Sequence, residues 1–310
     1  MSQLSVDGGQ TGSRLRLRRD DGSHSDHDAR PILTDRPVLP QVVALAEELL
    51  TSTGDTVECI AVGLSGLTAD AQRPDALLDA ATHLGVRRVA LAHDSVTAFL
   101  AANRDHHGVV VAAGTGVVTL AVATGVARVD GWGYLFGDAG SAFWIGRAGV
   151  DAALRAHDGR GESTVLRDAA AERFGEMSEL YMRVQADPGR VSAVAGFART
   201  VAEVADGGDA VAERIIDDAA AALTESVVAG SRRAGWSTGH ELRVSWVGKV
   251  LGSNRRLRSR FVELVIAALP EAAVEPPIGK TLDGVELLSE VDPRSPLRRL
   301  IAQAGADSAG

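Results

Sequence analysis

The sequence predicts an α/β fold in two similar halves, and three observations carry that prediction. Strand-like and helix-like segments alternate through the first third of the chain, which implies a mainly parallel sheet with helices on its faces. The alternation breaks at the polar stretch "NRDHHG" (103–108) and restarts behind it. Both halves open alike, with a strand, a glycine/threonine turn and a second strand: "SVDGGQTGSRLRL" and "VVVAAGTGVVTLAV". A chain of 310 residues is comfortable for two domains, and 45% apolar residues are ample for their cores. The expected boundaries are 1–105 and 106–292, with a C-terminal helix over 293–304 rejoining the first domain.

The elements follow from local signals. "LSVDGG" and "SRLRLRR" read as two strands joined by a tight glycine turn. Residues 23–38, "SHSDHDARPILTDRPV", are polar and contain proline, a loop or a poorly formed third strand. Helical spacing over 40–50 is followed by the strand "VECIAVGLSG", a helix over 74–84, the strand "RRVALAHD" and a helix over 95–102. In the second half "GVVVAAGTG", "VVTLAVATG" and "VARVDGWG" form a meander of about three strands. A long helical region covers 139–235, with "AVAERIIDDAAAALTESVVAGSRRAG" its clearest amphipathic part. "ELRVSWVGKV" is a further buried strand, and "RRLRSRFVELVIAAL" the helix behind it.

Composition excludes several classes of function. A net charge of −9 argues against nucleic acid, whose phosphates need a basic face. The runs from Arg14 to Arg19 and from Arg255 to Arg260 are short and read as solvated faces. Residues 108–127 carry no charge and are long enough to span a bilayer, but valine dominates and breaks at 114–116 and 124–125 leave strand-sized pieces. With no basic stretch and apolar run at the start, no secretory signal is read, and a soluble cytoplasmic protein is expected. Cys59 is the only cysteine, so it forms neither an internal disulfide nor, by itself, a metal cage.

The two glycine turns permit chemistry. A turn without Cβ atoms lets backbone N–H groups converge on an anion, and a threonine hydroxyl adds a donor. "DGGQTGS" (7–13) and "AGTG" (113–116) both fit a phosphate cradle, although neither is a Walker or a GxGxxG sequence. Each alone reads as well as a hairpin turn; two at equivalent places are more specific. Asp7 could hold Mg²⁺ through water beside such phosphates, or simply cap the turn. Asp94 ends the strand "RRVALA" and starts a helix. It is an N-cap, a general base at the carboxyl end of a parallel strand, or both. His93 reads as structural.

"GWGYLFGDAGSAFWIG" (131–146) sets one acid, Asp138, among glycines and aromatics ahead of a helix. Burying an acid unpaired is costly, so Asp138 needs donors. Sugar hydroxyls supply them, with a ring packing on the sugar's C–H face. The competing reading is an N-cap with Trp132 and Phe136 as core filler, and the stretch alone leaves both open.

"HDSVTAFLAA", "GVVVAAGTGVVTLAV", "GWGYLFGDAGSAFWIGRAGV" and "VAGFARTVAEVADGGDAVAERI" together resemble the N-acetylglucosamine kinase group of the BadF/BadG/BcrA/BcrD-type ATPase family, within the actin-like, Hsp70-like and sugar-kinase superfamily. The likeness covers most of residues 4–290, and "GWGxxxGDxGSAxWIG" is its most specific part. It implies two ribonuclease-H-like domains with a central cleft, closing over Mg-ATP and a sugar, and a homodimer. It implies that Asp94 deprotonates a sugar 6-hydroxyl and that Gly131, Trp132, Asp138 and Ser65 contact the sugar. Gly9, Gln10, Thr11, Gly114, Thr115 and Gly116 would meet the phosphates, Ala195, Gly248 and Lys249 the adenosine side, and Asp7 the metal.

The chain departs from that pattern in three places. Acetylhexosamine kinases carry a sugar-binding Asn in the loop after the first hairpin, and residues 20–40 hold none; the only two are Asn103 and Asn254. Gln10 replaces a common glycine, and Lys249 stands where Ser is usual. These bear on which sugar is taken. Two other readings compete with a kinase. A dehydratase-activating ATPase needs cysteines for its iron–sulfur cluster, and Cys59 stands alone. A sugar-sensing repressor would need a DNA-binding module, and the first strand already begins by about Leu4.

Overall fold

The computed structural model describes residues 1–9 and 12–305. They divide into two compact units. The first runs β1 (Gln3–Gly8), β2 (Ser13–Arg18), β3 (His24–Ala29), α1 (Val38–Thr53), β4 (Cys59–Leu64), α2 (Pro74–Ala81), β5 (Arg88–His93) and α3 (Asp94–Asn103). The second begins with β6 (Gly108–Ala113), β7 (Val117–Val122) and β8 (Val126–Asp130). Five helices follow: α4 (Ala142–His157), α5 (Leu166–Phe174), α6 (Leu180–Ala186), α7 (Arg190–Asp206) and α8 (Ala210–Arg233). Then come β9 (Leu242–Val247), α9 (Lys249–Ser253), α10 (Arg255–Ala268) and β10 (Ala272–Val274). From Pro276 the chain returns to the first unit, adding α11 (Thr281–Glu286) and β11 (Ile301–Gly305).

The two sheets have one topology. The first has the order β11-β5-β4-β1-β2-β3 and the second β10-β9-β6-β7-β8. In each, an antiparallel hairpin (β1 with β2, β6 with β7) continues on one side into parallel strands (β4 and β5; β9 and β10). The repeat read from two glycine turns is thus a repeat of a whole ribonuclease-H-like unit. Each unit has its own core. Leu4, Val6, Ile60 and Val62 pack with Leu45 and Leu49 of α1 in the first. Val109, Val111 and Ala121 pack with Phe197, Leu223 and Phe261 in the second. The uncharged run 108–127 is β6, β7 and the start of β8, and no described helix is long and apolar enough to cross a membrane.

Two expectations are corrected. Residues 24–29 are a regular edge strand rather than a loop or poorly formed strand, paired along its length with β2. The cause is cross-strand: Arg16 donates to both carboxylate oxygens of Asp26 (2.7 and 3.0 Å), which no hydrophobic pattern announces. The expected helix over 293–304 is instead a short 3-10 turn, Pro296–Leu300, capped by Ser295, and then β11. Its spacing suits a helix, but β5 needs a partner. Pairing from Ile301 with Ala92 to Gly305 with Arg88 gives its backbone one and buries Ile301 and Ala304.

Candidate active site

The first unit gathers its candidates at one end of its sheet. Gly8, Leu64 and His93, the last residues of β1, β4 and β5, are in register. The segments behind them leave at the carboxyl end of three parallel strands, where ligands collect in open α/β sheets. Asp7, Gly9, Ser65 and Asp94 are therefore brought to one edge. The loops are tied there, Ser65 N–H donating to Gly8 C=O and Ile32 N–H to Gly9 C=O, both at 3.1 Å. Gln10 and Thr11, the other expected phosphate contacts of this loop, lie outside the described residues.

Asp7 is electrostatically uncomfortable. Burial first, and then the charge of Asp94, push its carboxyl up to about 6, with Arg14 across the hairpin opposing. A cation would relieve this tension by favouring the carboxylate. Among the described residues no group of three or more His, Cys, Asp and Glu is arranged as a metal cage. That donor set fits Mg²⁺, which binds through one or two carboxylates, water and substrate phosphates.

Asp94 is the first residue of α3, not its cap. The cap is His93, whose Nδ1 accepts from Ser95 N–H at 3.2 Å. The helix begins one residue earlier than its apolar spacing suggests, and an acid in its first turn suits the helix dipole. The Asp94 side chain is 37% exposed, yet its Oδ1 is buried and accepts no hydrogen bond. Oδ1 lies 2.8 Å from His93 Nδ1, so a ligand would meet the exposed remainder of the carboxylate.

In the second unit the corresponding turn, Gly114-Thr115-Gly116, is fastened to the start of α4. Ala142 N–H donates to Gly114 C=O (2.9 Å) and Phe143 N–H to Thr115 C=O (3.1 Å). Gly248, at the end of β9, has φ 94° and lies flat on the Ala113 backbone, where any Cβ would strike the Ala113 carbonyl. This sets Lys249, exposed at the start of α9, beside the turn. Ala195 on α7 has its side chain in the core; its neighbour Val194 packs by its backbone against Gly146, one turn into α4.

Asp138 is held by backbone, not by the donors expected of a ligand alone. It is 7% exposed, with φ 59°, and accepts N–H groups from Val117 and Gly133. Burial raises its pKa, the charge of Asp130 adds to that, and the two N–H groups oppose. Its Oδ2 fills the space a Cβ on Gly116 would need, 2.5 Å away, so the acid and the 114–116 turn are one packed unit. Asp130 braces the loop in turn, accepting from Asp138 N–H (2.7 Å) and Ala139 N–H (3.0 Å). Asp138 is not the helix cap either; Ser141 is, accepting from Trp144 N–H at 3.2 Å. Nor are the aromatics core filler: Trp132 is 77% and Phe136 89% exposed.

Sequence reasoning missed His93 as the cap and contact of Asp94, and Asp130 as the loop's brace. The "DG" pair at 130–131, both in the left-handed region, was the one signal for the second. Cys59 lies buried on β4, and burial pushes its thiol up to about 11.

Two ribonuclease-H-like units of this strand order, each presenting a glycine turn at its first hairpin, define an actin-like ATPase and sugar-kinase fold. The chain belongs to the BadF/BadG/BcrA/BcrD ATPase family, which it matches over residues 4–284. It is 28% identical over 178 residues to an N-acetylmuramic acid/N-acetylglucosamine kinase of Clostridium acetobutylicum, a stretch covering 56% of this chain and 58% of that protein. Two solved structures, each provisionally named an N-acetylglucosamine kinase, share the fold. The Chromobacterium violaceum protein has a TM-score of 0.71 at 24% identity, with 93% of this chain and 98% of that one covered. The Porphyromonas gingivalis protein has a TM-score of 0.67 at 17% identity, with 92% and 97% covered.

Proposed function

We propose that the chain is an ATP-dependent sugar kinase. It moves the γ-phosphoryl group of ATP to a hydroxyl, the 6-hydroxyl, of an amino sugar of the N-acetylglucosamine or N-acetylmuramic acid type. The observation that carries this reading is Asp94: a part-exposed carboxylate at the strand end next to the buried Asp7, in a chain of an ATPase family. Membership of the family and the likeness to a kinase of two amino sugars support the substrate class.

In this reading the acceptor hydroxyl donates to the exposed side of the Asp94 carboxylate, which takes the proton as the oxygen attacks the γ-phosphorus in line. Asp7 would hold Mg²⁺ through water, and the ion would supply neutralisation of the phosphate charge. Gly9, Gln10, Thr11 and Gly114, Thr115, Gly116 receive the phosphates on backbone N–H and hydroxyl groups. Ala195, Gly248 and Lys249 border the nucleoside side, Lys249 adding a cation where a neutral residue would give none. Asp138 spends two acceptor positions on Val117 and Gly133 and keeps the rest for sugar hydroxyls. Trp132 offers an exposed ring to the sugar's C–H face, with Ser65 and Gly131 completing the contacts. A cytoplasmic homodimer belongs to this reading, and sedimentation equilibrium tests the dimer.

The decisive experiment follows ATP consumption over a panel of hexoses, glucosamine, N-acetylglucosamine and N-acetylmuramic acid, with the product's phosphate located by phosphorus–proton NMR. Sugar-dependent turnover giving a 6-phosphate supports the reading; ATP consumption indifferent to every sugar overturns it. Without the family Asn, the loop between β3 and α1 offers Thr34, Asp35 and Arg36, and selectivity is expected to differ from that of a standard N-acetylglucosamine kinase. A wide preference for N-acetylglucosamine over the rest of the panel would sink that expectation.

A further inference from the structure

Asp94 opens α3 while Asp7 lies on β1, so their spacing depends on how deeply α3 sits on the sheet. Asp7, Gly63 and Ala92 are register partners on the adjacent strands β1, β4 and β5, and their side-chain positions share one face. Gly63 leaves a gap in that row, and Thr97 of α3 fills it. A Cβ on Gly63 would lie 2.6 Å from Thr97 Cγ2 and 2.9 Å from its Oγ1, so only glycine lets the helix come down this far. Thr97 is fully buried and is gripped at its carbonyl as well. There α11 crosses with Gly284 so close that any Cβ would strike the Thr97 C=O. From this seat the Thr97 hydroxyl donates to Asp94 C=O at 2.9 Å, one turn back along the helix.

We propose that Gly63 and Thr97 are positioning residues, a seat that sets Asp94 relative to Asp7. This rests on the reading of Asp94 as the base and of Asp7 as the metal's carboxylate. In-line transfer leaves little room for error, because the hydroxyl must lose its proton where the γ-phosphorus is within reach. A misplacement of about 1 Å costs about 10²-fold in rate. The first turn of a helix frays when nothing but its cap holds it. The seat removes that freedom, since each layer of the stack, β4, α3 and α11, is regular structure and holds a site more precisely than a loop does. The returning C-terminal segment thereby bears on Asp94, through Gly284 and the Thr97 backbone. Gly63 and Thr97 act through Asp94 and not on the substrate.

The full chain is assayed with Mg-ATP and the panel's fastest sugar, at matched folded concentration. Gly63→Ala lifts the first turn of α3, and its kcat is expected to fall about 10²-fold while KM for sugar and for ATP stays within about twofold. Adding Thr97→Ala clears the space the new Cβ needs and should recover about tenfold of that loss, a coupling that independent damage does not produce. Thr97→Val keeps the volume and drops the hydroxyl. Its kcat should fall about 3- to 10-fold, the worth of a neutral hydrogen bond, and Thr97→Ser should stand nearer wild type. A merely structural role would lower the melting temperature and leave kcat of the folded protein alone. Normal kcat in folded Gly63→Ala, or no recovery in the double variant, overturns the proposal. Should Gly63→Ala not fold, normal kcat in Thr97→Val overturns it. If instead Asp94→Asn turns over normally, or no sugar is phosphorylated, the base reading itself has failed, and this inference with it.

Discussion

Asp7 and Asp94 sit close enough for their charges to repel, and the two substitutions that remove one charge have opposite consequences. Asp94→Asn leaves the helix cap untouched, because the cap is His93. The variant should fold normally and bind ATP, with turnover down roughly 10²–10⁴-fold, the range for a lost general base. A stopped-assay comparison at matched folded concentration checks this, and normal turnover excludes Asp94 as the base. Asp7→Asn should stabilise the free protein. Its folded-state carboxyl is pushed up to about 6 from an ordinary 3.8, so between those values the folded chain binds more protons than the unfolded one. Stability therefore falls as pH rises through that window, and the cost is complete above it. At about pH 7.5 the Asn variant should melt roughly 2–4 °C above wild type for each kcal/mol relieved, a gap that closes as pH drops below about 4. Mg-ATP should raise the wild-type melting temperature and move the variant far less. Equal melting at neutral pH would show that Asp7 bears no such cost.

At the scale of elements, what could be read and what could not divides by where the deciding contact lies. The strands β1, β4 to β7 and β9, and the helix α8, are written in their own periodicity, and so were visible. So were the positions of Asp7 and Asp94, since a carboxylate at the end of an apolar strand, or just past it, announces where it lies. β3 and β11 were not, because Arg16 and the bare side of β5, far off in sequence, decide them. The donors of Asp138 were equally hidden: Val117 and Gly133 meet it only once the turn and loop have folded together. Gly248 belongs to this class and gives a test. Gly248→Ala forces a left-handed φ and drives a Cβ into the Ala113 carbonyl, costing at least about 1–3 kcal/mol for the backbone strain. Gly252→Ala, four residues on in α9, meets nothing within 4 Å and should be neutral or mildly stabilising. Denaturant midpoints compare the two, and equal midpoints would deny that the β9–β6 approach is strained against a side chain.

For the whole molecule, the two units differ in how the chain supplies them. The second is drawn from 108–275, apart from 124–126, and its core is assembled within that span. The first is assembled from both ends of the chain. Its central strand β1 is covered by α11, and Gln3, buried beneath, donates to Glu286 C=O at 3.0 Å and accepts from Ser289 Oγ at 2.9 Å. Arg16 ties Asp283 (2.5 Å) and Glu286 (3.3 Å) to the hairpin, while β11 closes the edge beside β5. Leu282, Val285, Leu288 and Leu297 of the returning segment are all buried. A fragment of residues 1–107 therefore lacks a sheet partner, a covering helix and two of the three anions paired with Arg16, keeping only Asp26. It should not fold alone. Residues 108–275 should fold alone, with a cooperative melt and dispersed amide resonances, since their sheet and helices need nothing from 276 onward. Adding a peptide of residues 276–305 to 1–107 should restore helical and sheet circular dichroism. A cooperative melt for 1–107 without that peptide would mean that the returning segment is an ornament on the first unit and not a part of it.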